Sequence, residues 1–306
     1  MNTTIPVSVI IPAYNRARFL VEAIKSVLAQ KFVRPLEIIV VDDGSTDETS
    51  RVVDSFIPQI TYFYQEHSGV SSARNRGICI SSGEWIAFLD SDDLWKPEKL
   101  FRHWAFILAN PHLLISQTEE IWIRKGRRVN PRKYHKKPEG LCFERLLERC
   151  LISPSAVMIH RKLFDEVGLF DENLPACEDY DLWLRIGCRH PVGLLKEPLV
   201  IKRGGHEDQL SSSVPALDRY RIQAIVKLLI KEPLSKGQRQ EALKMLEKKC
   251  RIYAAGCAKR GRTEEARFYL SLPEVFADSR EQPLRPELSH IEFVAGTNIP
   301  PLNRAR

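Results

Sequence analysis

Three short runs of this chain have the apolar, β-branched character of buried strands, and amphipathic stretches separate them. Val7-Ser8-Val9-Ile10-Ile11 stops at Pro12, Glu37-Ile38-Ile39-Val40-Val41 stops at Asp42-Asp43-Gly44, and Trp85-Ile86-Ala87-Phe88-Leu89 stops at Asp90-Ser91-Asp92-Asp93. A strand covered on both faces reads this way, because no side of it meets water. After the first run, Leu20, Ala23, Ile24, Val27 and Leu28 recur at helical spacing and predict a helix from about Ala17 to Gln30. Ser45-Thr46-Asp47-Glu48 matches a capping box, with Ser45 as N-cap, and predicts a second helix to about Phe56. Ile60 to Tyr64 reads as a strand and Ser68 to Cys79 as a helix carrying Arg74 and Arg76. The order β-α-β-α-β-α-β predicts an α/β fold, a mostly parallel sheet with helices on its faces.

In open sheets of this kind ligands bind beyond the carboxyl ends of the strands. Three loops converge there: Pro12 to Arg16, Asp42 to Ser45, and Asp90 to Asp93. Three carboxylates within four residues repel one another and need a cation or a set of donors, so Asp90 and Asp92 read as a divalent-cation site. The chain has no Gly-x-Gly-x-x-Gly and no Walker-type Gly-Lys-Ser/Thr. A bound metal would therefore have to neutralise any phosphates held at this edge.

Composition narrows the class. With 306 residues, 43% hydrophobic and 28% charged, the chain has the make-up of a globular protein of one core domain plus an appendage. No apolar run approaches the ~20 residues of a membrane helix, and Met1 to Pro6 lacks the character of a signal peptide. Seven cysteines without a Cys-x-x-Cys pair point to a reducing, cytoplasmic setting rather than to a disulfide or zinc framework. The net charge of +7 is concentrated: Arg124, Lys125, Arg127, Arg128, Arg132, Lys133, Lys136 and Lys137 make a basic loop over 124–137. Such a loop suits anionic lipid headgroups at the inner face of the cell membrane, an acidic acceptor, or plain solvent; no nucleic acid partner is expected.

Four segments together resemble the successive motifs of family-2 glycosyltransferases: Val9 to Asn15, Val40 to Asp47, Ser72 to Gly77, and Phe88 to Asp93. The likeness runs over roughly residues 5 to 215 and implies the GT-A fold. It implies a catalytic domain over 1–215, with a nucleotide-binding half at about 5–95 and an acceptor half at about 96–215. By the same resemblance Pro12 and Ala13 line the base pocket, Tyr14 stacks near the base, and Asp43 accepts a hydrogen bond from it. Asp42 faces the ribose or supports the strand edge, Arg74 lies near the base and phosphates, and Asp90 touches the ribose or a metal-bound water. Asp92 is the metal ligand, with Mn²⁺ or Mg²⁺ as cofactor.

The segment Ala176-Cys177-Glu178-Asp179-Tyr180-Asp181-Leu182-Trp183 places two acids at the start of a predicted helix, where the helix dipole favours a charged carboxylate. It resembles the family's Glu-Asp motif, which makes Asp179 the general base and Glu178 its support. His206, in the loop Arg203 to Ser211, is a further candidate metal ligand, since imidazole suits Mn²⁺ better than Mg²⁺. The processive members' Gln-x-x-Arg-Trp motif is absent after Asp179, so the resemblance implies an inverting, non-processive enzyme. Its donor would be a nucleotide sugar, most commonly a UDP-sugar. Its acceptor would be a glycan, a lipid-linked molecule or a protein, in polysaccharide, lipopolysaccharide or glycoprotein glycan synthesis. A nucleotidyltransferase-like enzyme and an inactive nucleotide-sugar-binding protein are the alternatives.

Beyond Pro97 the pattern predicts a helix to about Asn110, strands at Leu113 to Ile123, Ala156 to His160, Val192 to Leu195 and Leu199 to Lys202, and shorter helices between them. From about Ala216 the character turns helical, giving an appendage over 216–275. Residues 276–306, rich in proline and polar side chains, read as a loose tail.

Overall fold

A computed structural model of the chain describes residues 6–205, 214 and 216–277. The chain divides into two compact units, 1–215 and 216–306. In the first, β1 (Val7–Ala13), β2 (Leu36–Asp42), β3 (Thr61–Tyr64) and β4 (Trp85–Phe88) form a parallel half-sheet in the order β3-β2-β1-β4. Helices α1 (Ala17–Leu28), α2 (Thr49–Asp54) and α3 (Val70–Ile80) make the crossovers. Every residue of β1 and β4 is buried, as their unbroken apolar character requires. Val9, Ile11, Val40, Leu20, Ile24 and Val27 belong to one core cluster between sheet and helix. On the other face α3 comes so close to β1 that a Cβ on Gly77 would lie 2.4 Å from Ile10.

The sheet then changes direction. β8 (Val157–His160) pairs antiparallel with β4 and with β6 (Ile115–Arg124). β6 in turn pairs parallel with β9 (Gly193–Gly204), whose far edge carries β5 (Leu94–Trp95). The sheet is thus mixed, with one parallel half. The two strands expected between Val192 and Lys202 are one strand, because β6 pairs along its whole length through two register shifts at Thr118–Glu120. The connecting elements are α4 (Lys99–Ala109), α5 (Phe143–Glu148), α6 (Lys162–Val167) and α7 (Glu178–Gly187).

The basic segment is not a plain loop. β6 turns through Lys125 and Gly126, both at positive φ, into β7 (Arg127–Val129). Positive φ at both central residues is the geometry of a tight hairpin turn. A single 3₁₀ turn follows at Lys133–His135.

The capping box at Ser45 does not form. Helix α2 starts at Thr49, whose N–H donates to Asp47 Oδ1 at 2.9 Å. Ser45 is spent instead on the neighbouring loop: its Oγ accepts the Asn15 N–H at 2.9 Å. Asn15 takes a left-handed conformation (φ 52°), and its Oδ1 accepts the Thr46 N–H at 2.8 Å. The loops after β1 and β2 are therefore clasped together.

The second unit contains α8 (Asp218–Lys231), α9 (Lys236–Lys259) and α10 (Thr263–Ala277). Here a capping box does form, between Ser235 and Gln238. Most of the expected tail, from residue 278 on, lies outside the described residues. Among the described residues no helix is long and apolar enough to cross a membrane.

Candidate active site

The end of β2 holds two buried carboxylates whose partners differ. Asp42 accepts the Tyr62 hydroxyl at 2.8 Å and the Ser45 N–H at 2.8 Å. Asp43 accepts from Gln65 Nε2 at 2.7 Å, from the N–H groups of Ser68 at 3.0 Å and Gly69 at 2.8 Å, and pairs with His67 Nδ1 at 2.8 Å. Asp43 thereby fixes the loop that opens α3. Pro12 and Ala13 are buried at the end of β1, where the Ala13 carbonyl accepts the Asp43 N–H at 2.8 Å. Tyr14, 42% exposed, stacks on the His67 ring at 4.0 Å and 21°. A ring pair beside a carboxylate, open to solvent on one side, has the chemistry to hold a planar heterocycle.

The three acids after β4 are likewise separated by their partners. Asp90 accepts from Arg74 Nη2 at 2.8 Å. Asp93 is buried, accepting the Ser155 hydroxyl at 2.7 Å and the Arg203 N–H at 2.9 Å. Burial, together with the charges of Asp92 and Asp90, pushes the Asp93 carboxyl well above the ordinary range. Asp92 is half-buried between them, and its carbonyl accepts from Arg203 Nε. Among the described residues no group of three or more His, Cys, Asp or Glu is placed to hold a metal. The donor set still suits a hard cation that takes one or two carboxylates from protein and the rest of its oxygens from a diphosphate. Asp92 is the carboxylate that would meet such a cation; His206 lies outside the described residues.

Arg74 links two distant elements. It is 4% exposed, and its second nitrogen, Nη1, donates to Glu178 Oε1 at 2.7 Å. The guanidinium thus ties the strand end at Asp90 to the first turn of α7, which follows it by 88 residues at Glu178 (178 − 90). Burial and the adjacent Asp179 push the Glu178 carboxyl up, against the pull of Arg74. Asp179 is half-buried. Its Oδ1 accepts its neighbour Tyr180's N–H at 2.6 Å, and its Oδ2 accepts the Cys150 thiol at 3.0 Å. Burial, then Asp179, pushes that thiol well above its usual range, so Cys150 stays protonated and able to donate.

Asp179 and Cys150 lie on the wall of a cavity of about 250 Å³, with Ser153, Lys202, Glu119, Glu120 and Trp122. Strict alternation along a strand would send Glu119 and Glu120 to opposite faces. The register shifts between Thr118 and Glu120 break that alternation, and both reach the cavity. Glu120 pairs with the buried Lys137 at 3.1 Å. Burial alone would raise its pKa, but Lys137 and Lys202 outweigh burial and hold it down at about 2. Lys202 Nζ donates to Ser153 Oγ at 3.0 Å; burial would lower its pKa, and Glu120, Asp93 and Asp90 raise it instead.

A sheet with acids at its parallel strand ends, and a second acid beside a cavity, defines an α/β protein with a ligand site at the sheet edge. Comparison with known proteins names the family. The family model described as Glycosyl transferase family 2 matches residues 8–168, and the chain belongs to that family. An uncharacterized glycosyltransferase of Rickettsia conorii is 39% identical over 219 residues, covering 68% of this chain and 35% of that protein. The chain therefore aligns with about a third of that relative's length. In fold, the chain is similar to S. aureus TarS 1–349 in complex with UDP-GlcNAc, at TM-score 0.67 and 19% identity over 88% of this chain and 92% of that one. It is also similar to the mannosyltransferase PcManGT of Pyrobaculum calidifontis in complex with GDP-Man and Mn²⁺, at TM-score 0.56 and 19% identity over 92% and 83%. The fold is accordingly GT-A.

Cys150, Lys202, His67 and Ser155 were not singled out from the sequence. Cysteine and lysine in isolation carry no motif, and each acquires its partner through tertiary contact alone. His67, three residues past the third strand, is the one with a local signal: a polar residue at a carboxyl end of the sheet.

Proposed function

We propose that the chain is an inverting, non-processive glycosyltransferase that moves one sugar from a nucleotide-diphospho-sugar, a UDP-sugar in the first instance, to an acceptor hydroxyl. Tyr14 takes the base, with the backbone of Pro12 and Ala13 beneath it, and Asp43 exchanges one of its present donors for the base N–H. Asp42 and Asp90 face the ribose. Arg74 holds Asp90 in place and brings α7 to the donor edge. Asp92 holds Mn²⁺ or Mg²⁺, which when bound supplies countercharge to the diphosphate.

Asp179 Oδ2 receives the acceptor's hydroxyl proton as its oxygen bonds to the anomeric carbon. The bond from that carbon to the diphosphate oxygen breaks, and the nucleoside diphosphate leaves with the electron pair. Attack from the face opposite the leaving group inverts the anomeric centre. Glu178 takes no proton in this scheme; it anchors α7 to Arg74. The observation that supports the scheme best is that one buried guanidinium joins Asp90 to Glu178, next to Asp179 at an open cavity.

Calorimetric titration with UDP and Mn²⁺, paired with turnover of a nucleotide-sugar panel, tests it. Asp179→Asn should bind UDP as the wild type does and lose about 10²–10⁴ in turnover. Asp92→Ala should lose the metal-dependent part of UDP binding. Near-normal turnover of Asp179→Asn would remove Asp179 as base.

A further inference from the structure

The basic segment 124–137 is a sequence feature that the transfer scheme leaves without a task. The structure places it at the cavity that holds Asp179: Arg124 from the end of β6, His135 from the 3₁₀ turn and Lys137 beyond it all line that wall. We propose, resting on the transfer scheme above, that this cavity admits an anionic acceptor, one carrying a phosphate or carboxylate beside the hydroxyl that Asp179 deprotonates.

Shape and charge both support this. At about 250 Å³ the cavity falls just below the ~300–1,000 Å³ of drug-sized ligand sites, which suits the terminal residue of an acceptor. Trp122 offers it an aromatic surface, with the His135 ring edge-on at 5.0 Å and the Arg124 guanidinium 5.7 Å from the Trp122 ring centre. Of the carboxylates on the wall, Glu120 is already neutralised by Lys137 at 3.1 Å. Glu119 and Asp179 remain; Arg203 is shared with Glu22, and Lys202 with Glu120, Asp93 and Asp90, so the excess positive charge lies at the rim, at Arg124, Arg132 and Arg149. The same cations gather around His135, whose pKa is lowered by burial and then by Arg149, Arg124, Arg132 and Lys202. Arg149 lies over the Tyr134 ring at 4.2 Å, which keeps that cation at the same rim. A positive field inside a partly desolvated concavity is felt more strongly than the same charges spread on a surface. The tight hairpin through Lys125 and Gly126 holds the rim in a defined place.

The test is a binding titration of the full chain with glucose, glucose 6-phosphate and glucuronate, in excess UDP and Mn²⁺ so that the donor edge is filled. Glucose 6-phosphate or glucuronate should bind at least about tenfold more tightly than glucose, and the preference should shrink with salt. Whichever anion binds better identifies the phosphate or the carboxylate source. The double variant Arg124→Gln/Arg132→Gln, at two exposed positions, should cancel the preference while UDP affinity stays unchanged. Equal binding of the three sugars would overturn the proposal. So would a preference that survives the double variant, or a variant that releases the protein from phosphatidylglycerol vesicles yet keeps its sugar-phosphate affinity; the last result would assign the patch to a membrane surface. None of these outcomes touches UDP binding at Asp92 or the role of Asp179, so failure here is separable from failure of the transfer scheme.

Discussion

The donor edge and the Asp179 cavity are built from the same residue types to opposite ends. At the donor edge almost every acid is already satisfied: Asp42 by Tyr62 and Ser45, Asp43 by four donors, Asp93 by Ser155 and Arg203, Asp90 by Arg74. At the cavity Asp179 has one strong donor, its own helix N–H, and one weak one, a thiol. A saturated carboxylate fixes geometry, whereas one held lightly can exchange a partner for an incoming hydroxyl. On the proposed scheme, the hydrogen bonds are spent on the edge that would place the donor, and the group that would react is left loosely engaged.

The largest effect expected from breaking this contrast is at Arg74, the link between the two regions. Arg74→Met should destabilise unit 1–215 by about 3–5 kcal/mol, because Glu178 stays buried without its partner. Urea unfolding would measure this, and a loss below about 1 kcal/mol would show that Arg74 is not a structural clasp.

Lys137 and Glu120 give the next effect, on the cavity side. Glu120 is held at about 2 in the folded protein, below its unfolded value near 4.5, so its contribution is complete above pH ~4.5 and is lost as pH falls toward 2. Lys137→Met leaves a buried acid unpaired and should cost on the order of 3 kcal/mol near neutrality. The gap between wild type and variant should narrow between pH 5 and 3, as Glu120 protonates at less cost in the variant. Unfolding curves over that range check the sign; a constant gap would refute the pairing.

The smallest effect is at Cys150. Removing a weak donor from Asp179 in Cys150→Ala should lower kcat about two- to tenfold with KM for donor unchanged, and Cys150→Ser should restore it. A fall in donor affinity instead would move the defect to the saturated side.

Much of this was legible in the chain itself. Buried strands ending on Pro12, Asp42 and Asp90 predicted the parallel half-sheet, because continuous apolar runs leave few alternatives. Local chemistry misled at Ser45, whose capping pattern is intact but whose hydroxyl is taken by Asn15 from another loop. It misled again at Val192 to Lys202, read as two strands but formed as one, with Pro198 at a register shift where a missing N–H is tolerated.

The candidate site divides in the same way. That acids gather at strand ends, that Asp92 stands in an Asp-x-Asp and that Asp179 opens a helix were determined by the sequence, since spacing and secondary structure suffice to place them. Which of those acids are spent and which remain open was decided only by tertiary contact. Ser155, Arg203, Arg74 and Cys150 come from segments that the sequence alone does not bring together, and a carboxylate's chemistry is set by the donors that reach it. The basic hairpin shows the same physics: its charge is plain in the sequence, but only the fold turns it toward Asp179.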